Sequence, residues 1–273
     1  KSICIMDHSS FYKLDFSKSR MRNAQKKGQL TLFIIFAILI VGSILIFFLY
    51  VQPNFITQRS EKLYVENCVE DALAKEIKTL SHTAGLINPK FTYMYQSNNI
   101  TIACYSDEYL KPCVVQIPFF QQAFENSLNT LVKTQIEECY SNSVDELINK
   151  GYDVKQGQIT YNLSMNPSGV DVIINAPITA STTAGSAQNF KSIKVTYPSK
   201  IYNILMVANS ILQYEVSYGD ADSASFQLFY PDISVDKIRA SDGMKIYTVS
   251  DKADIKFKFA SRSYAWPPGY GIN

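Results

Sequence analysis

The stretch from Leu30 to Val51, LTLFIIFAILIVGSILIFFLYV, runs for 22 consecutive residues without a charge. As a helix rising about 1.5 Å per residue it spans roughly 33 Å, close to the ~30 Å hydrocarbon core of a bilayer. A core helix of that length normally shows a polar face, and here only Thr31, Gly42 and Ser43 break the apolar surface. The stretch predicts a transmembrane helix over 30–51.

Residues 1–29 carry seven Lys and Arg against Asp7 and Asp15, a net of +5, which leaves −3 of the chain's +2 for everything beyond. Basic residues crowded next to an apolar span stay on the cytoplasmic side. The expectation is therefore a cytoplasmic amino terminus, a lipid bilayer around 30–51, and an extracellular part from Gln52 to Asn273. A cleaved secretory signal needs an apolar core of about 7 to 15 residues followed by a small-x-small site. Val51-Gln52-Pro53-Asn54-Phe55 offers none. Met21 opens a compact basic segment, MRNAQKKGQ, whereas residues 1–20 have no pattern. They read as upstream translated sequence or a disordered tip, the alternative being a genuine short tail. No dense Lys/Arg patch is present on either side, so nucleic acid is not an expected partner.

Beyond the membrane the pattern is α+β. Val65, Val69, Ala72, Leu73, Ile77 and Leu80 recur at steps of three and four, predicting an amphipathic helix over 56–82 that ends near Gly85. A second runs over 119–149 on Phe120, Phe124, Leu128, Val132, Ile136 and Cys139, stopped by Gly151. A third starts at Ile201 behind Ser199. FTYMYQ and ITIACY flank Ser97-Asn98-Asn99 as a small hairpin, and 158–165 turns through Asn166-Pro167-Ser168-Gly169 into 170–175 as another. Thr179 to Ala187 reads as an exposed loop. Further strands are expected at 192–197, 225–230, 245–249 and 255–260, mostly antiparallel. Residues 52–150 form a membrane-proximal helical part with a small hairpin and 151–273 an α+β distal part, as one domain or two with a boundary near Gly151.

Cys68, Cys104, Cys113 and Cys139 lie on the expected outer side, an even number in an oxidising setting. Four cysteines allow three pairings. Cys68 and Cys139 sit on or beside the apolar stripes of the first two helices, and Cys104 and Cys113 bracket an eight-residue loop. The favoured bridges are Cys68 with Cys139 and Cys104 with Cys113, against the alternative of free buried thiols. Asn99-Ile100-Thr101 and Asn162-Leu163-Ser164 make Asn99 and Asn162 candidate glycosylation sites.

Chemistry is scarce. With His82 the only histidine beyond the membrane, Ser-His-Asp and Cys-His sets have nothing else to draw on, and a helix-capping cation is the simpler role. Glu137-Glu138, and Glu66 with Glu70, fall on polar helix faces, and Asp220-Ala221-Asp222 reads as a solvated turn. No phosphate loop, GxSxG, HExxH, metal or cofactor motif is present. An enzyme is not expected, and an extracellular hydrolase is the remote alternative. Tyrosines cluster at Tyr93/Tyr95, Tyr214/Tyr218 and in the tail Tyr264 to Tyr270. They fit a contact surface for protein partners at the cell envelope, or strand packing.

The opening Lys26-Lys27-Gly28-Gln29-Leu30-Thr31-Leu32-Phe33, VENCVEDA (65–72), the Glu138-Cys139 helix end, the helix from Ile201, and 245–249 followed by FKFASR (257–262) together resemble, in their order, a group of uncharacterised single-pass surface proteins of small-genome archaea. That resemblance implies an anchored, non-catalytic envelope protein of structural or adhesion type with a Cys68–Cys139 cystine. The same opening is similar to archaeal pilin-type signal sequences, which implies a candidate processing site between Gly28 and Gln29. It departs from them at Phe33, where pilins place a glutamate that partners a neighbouring amino terminus.

Overall fold

The computed structural model describes residues 26–50, 52–108, 110–182, 187–252 and 255–264, with side chains over 33–47 and from 64 onward. The basic tip over 1–25, the side chains of the Gly28/Gln29 site and the tail beyond Tyr264 lie outside the described residues. The chain divides into two compact units, residues 1–57 and 58–273.

Helix α1 spans Lys26–Tyr50. Its large apolar side chains from Phe33 to Phe47 are 48–70% exposed. The single polar side chain among them, Ser43, donates its hydroxyl back to Ile40 O at 2.8 Å, so its donor is satisfied within the helix. Among the described residues no helix is long and apolar enough to cross a membrane. The described side chains of α1 cover only part of the apolar stretch.

Helix α2 spans Gln52–His82. Within the second unit, the part of α2 from residue 58 onward, α3 (Phe120–Asn149) and α4 (Ile201–Tyr218) supply the main helices. The sequence periodicity is realised at each: Val65, Val69, Leu73, Ile77 and Leu80 of α2, and Phe120, Phe124, Leu128, Val132 and Ile136 of α3, are at most 2% exposed. Burying each such side chain contributes about 1.5–3 kcal/mol. Both expected cystines are present. Cys68–Cys139 ties α2 to α3 with a Cα–Cα distance of 5.9 Å, and Cys104–Cys113 closes its loop at 5.4 Å.

Among the described residues ten strands form two sheets. The first has the order β1 (Thr92–Tyr95), β2 (Asn98–Tyr105), β10 (Lys256–Arg262), β9 (Lys245–Ser250), β8 (Ser234–Arg239), with β3 (Val114–Val115) also on β2. All its pairings are antiparallel except β2 with β10. In the second, β6 (Gly169–Ser181) runs between β7 (Ala187–Pro198) on one side and β5 (Thr160–Asn166) with β4 (Asp153–Gln156) on the other. The β6–β7 register shifts between Asn175 and Ile178, where Pro177 has no N–H to give the ladder. One hydrophobic cluster runs from Val65 through α3 and both sheets to Phe259. The Phe120 ring of α3 lies 5.0 Å from both Phe257 and Phe259 of β10.

Three local expectations are corrected. Residues 225–230 are not a strand: α5 spans Ser223–Phe229, because Asp222 accepts the Ala224 N–H and the Ser225 hydroxyl and so caps a helical turn. The Ser/Thr/Ala-rich loop is shorter than its composition suggests, since β6 runs to Ser181 and β7 begins at Ala187, Thr179 pairing Asn189 across the ladder. The first hairpin turns on Gln96-Ser97, both at positive φ (47° and 64°), with Tyr95 facing Asn98. Strands β3, β4 and β8 are additions to the sequence reading.

Candidate functional site

Helix α4 continues the alternation that buries Ile201, Ile204, Leu205, Ala208, Ile211 and Leu212, and the next position on that stripe is Glu215, fully buried. A carboxylate taken out of water needs donors on every lone pair or it shifts to its neutral form. Glu215 has four. Oε1 accepts the Tyr247 hydroxyl at 2.6 Å and the Ala221 N–H at 2.9 Å, and Oε2 accepts the Ser261 hydroxyl at 2.8 Å and the Lys245 ammonium at 2.6 Å. Lys245, 5% exposed, also donates to Gly219 O and, at 2.9 Å, to Ser263 O. Ser263 in turn donates to Glu215 O at 2.9 Å and accepts the Cys113 N–H at 3.2 Å. The network thus joins the end of α4 to β9, β10 and the Cys104–Cys113 bridge. Burial first, then the facing Glu215 carboxylate, pushes the Tyr247 phenol far above its ordinary range, so Tyr247 stays a donor at any physiological pH.

Gly219, at φ 74°, ends α4 in the left-handed conformation and releases the chain toward Asp220 and Asp222. The solvated turn expected there is in part a charge cluster. Asp220 accepts Lys237 at 3.1 Å and Arg239 at 2.5 Å, with Lys245 at 3.6 Å. Lys237 also donates to Ala221 O at 2.5 Å. Asp222 remains exposed, and its hydrogen bonds from Ser225 and Ala224 hold its carboxyl below the usual range.

Above this network opens a cleft of about 400 Å³ lined by Tyr214, Tyr218, Phe226, Phe229, Asp220 and Asp222. Tyr214 stands edge-on to Phe226 at 5.6 Å and 84°, and 5.5 Å from Tyr218. Tyr218 is 62%, Phe229 75% and Leu228 80% exposed. Aromatic rings with polar groups at one edge, next to exposed apolar side chains, offer a large contact area. The Ser, Lys, Tyr and Glu groups of the network are engaged with one another, and Lys245 and Ser263 also border a smaller opening of about 200 Å³ with Asp220 and Arg239.

The structure brings together two features singled out in the sequence, Tyr214/Tyr218 and Asp220/Asp222. Sequence reasoning missed Glu215, Lys245 and Phe229. The available signal was a charged residue sitting on the apolar stripe of α4. The other flagged residues lie elsewhere: Glu137 and Glu138 on the exposed face of α3, His82 in the last turn of α2, and Asn99 and Asn162 exposed on β2 and β5. Thr101 of the first sequon is buried, with its hydroxyl unpartnered among the described residues. Among the described residues no group of three or more His, Cys, Asp or Glu side chains could hold a metal ion. Comparison with protein-family models, with curated proteins and with solved structures gives no match.

Proposed function

We propose that this chain is a single-pass, membrane-anchored cell-surface protein that acts by contact, with the folded unit outside and the aromatic cleft at α4–α5 as its contact face. The observation that carries the reading is the uncharged stretch of 22 residues, whose described side chains are exposed along α1 and whose serine bonds within the helix. Exposed apolar side chains on this scale are stable in lipid and costly in water. Two cystines fit an oxidising compartment, and Lys26-Lys27 fit retention of the tip inside. Membership of the archaeal single-pass surface proteins rests on the ordered motifs quoted above. The test is proteolysis of intact cells carrying the full chain with a carboxy-terminal tag. The tag is lost from intact cells and the Lys26-Lys27 end is retained; a tag protected until the cells are lysed overturns the reading.

A second reading, a pilin-like subunit processed after Gly28, draws support from α1 and α2, which are separated in sequence by Val51 alone. Intact-mass measurement distinguishes the two. A mature chain beginning at Gln29 favours the filament, and one retaining Lys26-Lys27 removes it.

A further inference from the structure

A second, larger opening lies between the first two turns of α3 and the middle of α4, with a volume of about 870 Å³, inside the ~300–1,000 Å³ range of small-molecule sites. We infer that this groove binds a neutral polyhydroxylated ligand, an uncharged oligosaccharide. The inference is independent of the aromatic cleft and of the membrane anchor.

The chemistry of the walls carries it. From α3 come Gln121, Gln122, Glu125 and Asn126, which share one side of the helix at spacings of four. From α4, Asn209 and Gln213 face them, one turn apart, with Ser210 between. Five of the side chains lining the groove are therefore primary amides, and none is Lys or Arg. An amide offers two donors and an acceptor on one rigid plane, which matches the alternating donor and acceptor character of adjacent hydroxyls. Walls without cations give no purchase on phosphate or sulfate groups, which excludes nucleic acid and acidic polymers. An amide-lined floor also leaves unpaired polar groups beneath an aliphatic ligand, which disfavours lipid.

Two further features complete the site. Asn209 Oδ1 accepts the Phe120 N–H at 3.0 Å, bridging the two helices and fixing the width of the groove, so the part of its amide left to a ligand is the NH2. Ser210 donates to Met206 O at 3.0 Å and presents its oxygen as an acceptor. At the rim Phe119 is 62% and Met206 43% exposed, apolar surface on which the C–H face of a pyranose ring can rest. Glu125, the one acid in the walls, is pushed up by burial, and its carboxyl adds a partner for sugar hydroxyls.

The experiment titrates the full chain, held in a detergent without a sugar headgroup, with maltohexaose, mannohexaose and chitohexaose by calorimetry, dextran sulfate serving as the polyanion. At least one neutral hexasaccharide binds with a Kd at or below about 1 mM. The exposed-residue variants Gln122→Ala/Gln213→Ala and Phe119→Ala weaken it about tenfold, whereas Tyr218→Ala in the other cleft leaves it unchanged. The inference is overturned if none of the three binds at about 10 mM, if the groove variants bind as the parent does, or if dextran sulfate binds in their place with an affinity that salt removes.

Discussion

Glu215→Gln replaces a buried carboxylate by an amide of the same shape and isolates what its charge contributes. The carboxylate receives Tyr247, Ala221, Ser261 and Lys245; the amide has a single oxygen, and its NH2 must point at two of those donors whichever way it turns. Lys245 loses the negative charge of its partner at 2.6 Å in either orientation, and the nearest remaining carboxylate, Asp220 at 3.6 Å, is already shared with Lys237 and Arg239. Removing one member of a buried pair costs about 3–5 kcal/mol, because the other is left charged and unpaired. For a folded unit of this size that corresponds to a drop in Tm of roughly 6–20 °C. The assay is guanidinium unfolding of the full chain in micelles followed by near-UV circular dichroism, with Glu146→Gln as control. Glu146 pairs with Lys150 at the surface, both partners about two-fifths exposed, so its loss costs about 0.5 kcal/mol or less. A Glu215→Gln protein within about 1 kcal/mol of the parent refutes the reasoning.

Replacing Cys68 and Cys139 by serine costs about 4 kcal/mol on the chain-entropy estimate for a separation of 71, and replacing Cys104 and Cys113 about 2.5 kcal/mol for a separation of 9; the same unfolding curves, showing the reverse ranking, would count against that account. Gly169→Ala destabilises by more than about 1 kcal/mol, since a Cβ at φ 147° would stand 2.1 Å from Tyr197 O, and a variant of unchanged midpoint would contradict the β6–β7 geometry. Asp171 is held below the usual carboxylate range first by the Thr196 hydroxyl and then by Lys194. A depressed carboxyl stabilises the fold above its unfolded pKa and loses that contribution as the pH falls through the folded one. Thr196→Val therefore raises the Asp171 titration toward the ordinary value near 4 and flattens the acid limb of stability, as carbon-detected NMR reports; an unmoved titration would sink the assignment.

The helices were legible because each carries an apolar stripe, and two of them end at a stop signal, Leu80 before Gly85 and Leu147 before Gly151. The cystine pairing followed from the same stripes, which set Cys68 and Cys139 on facing sides of α2 and α3. Strands flanked by tight turns were legible too. The parallel β2–β10 pair was not, since Cys104 and Ser261 meet across most of the chain and no local pattern records it. The segment 223–229 alternates like a strand, and only the reach of Asp222 to Ala224 and Ser225 turns it into a helix. Of the aromatic cleft the sequence showed one wall, Tyr214 and Tyr218; Phe226 and Phe229 were hidden by that misassigned strand. The Glu215–Lys245 pair escaped because its two members come from different elements, and a stripe read for apolar residues alone stops at Leu212 and passes over Glu215.

The position of β10 bears on how such a chain matures. Lys256–Arg262 lies between the β1–β2 hairpin and β9, so the first sheet stays in two pieces until residues 256–262 have been synthesised. Contacts between distant segments form slowly, because a long loop must close before any of them is made. Cys68 and Cys139 both precede β10 in the chain, so their cross-link can form while the first sheet is still in two pieces. A chain cut short anywhere before 256 would carry an open sheet edge, a template for pairing with other chains.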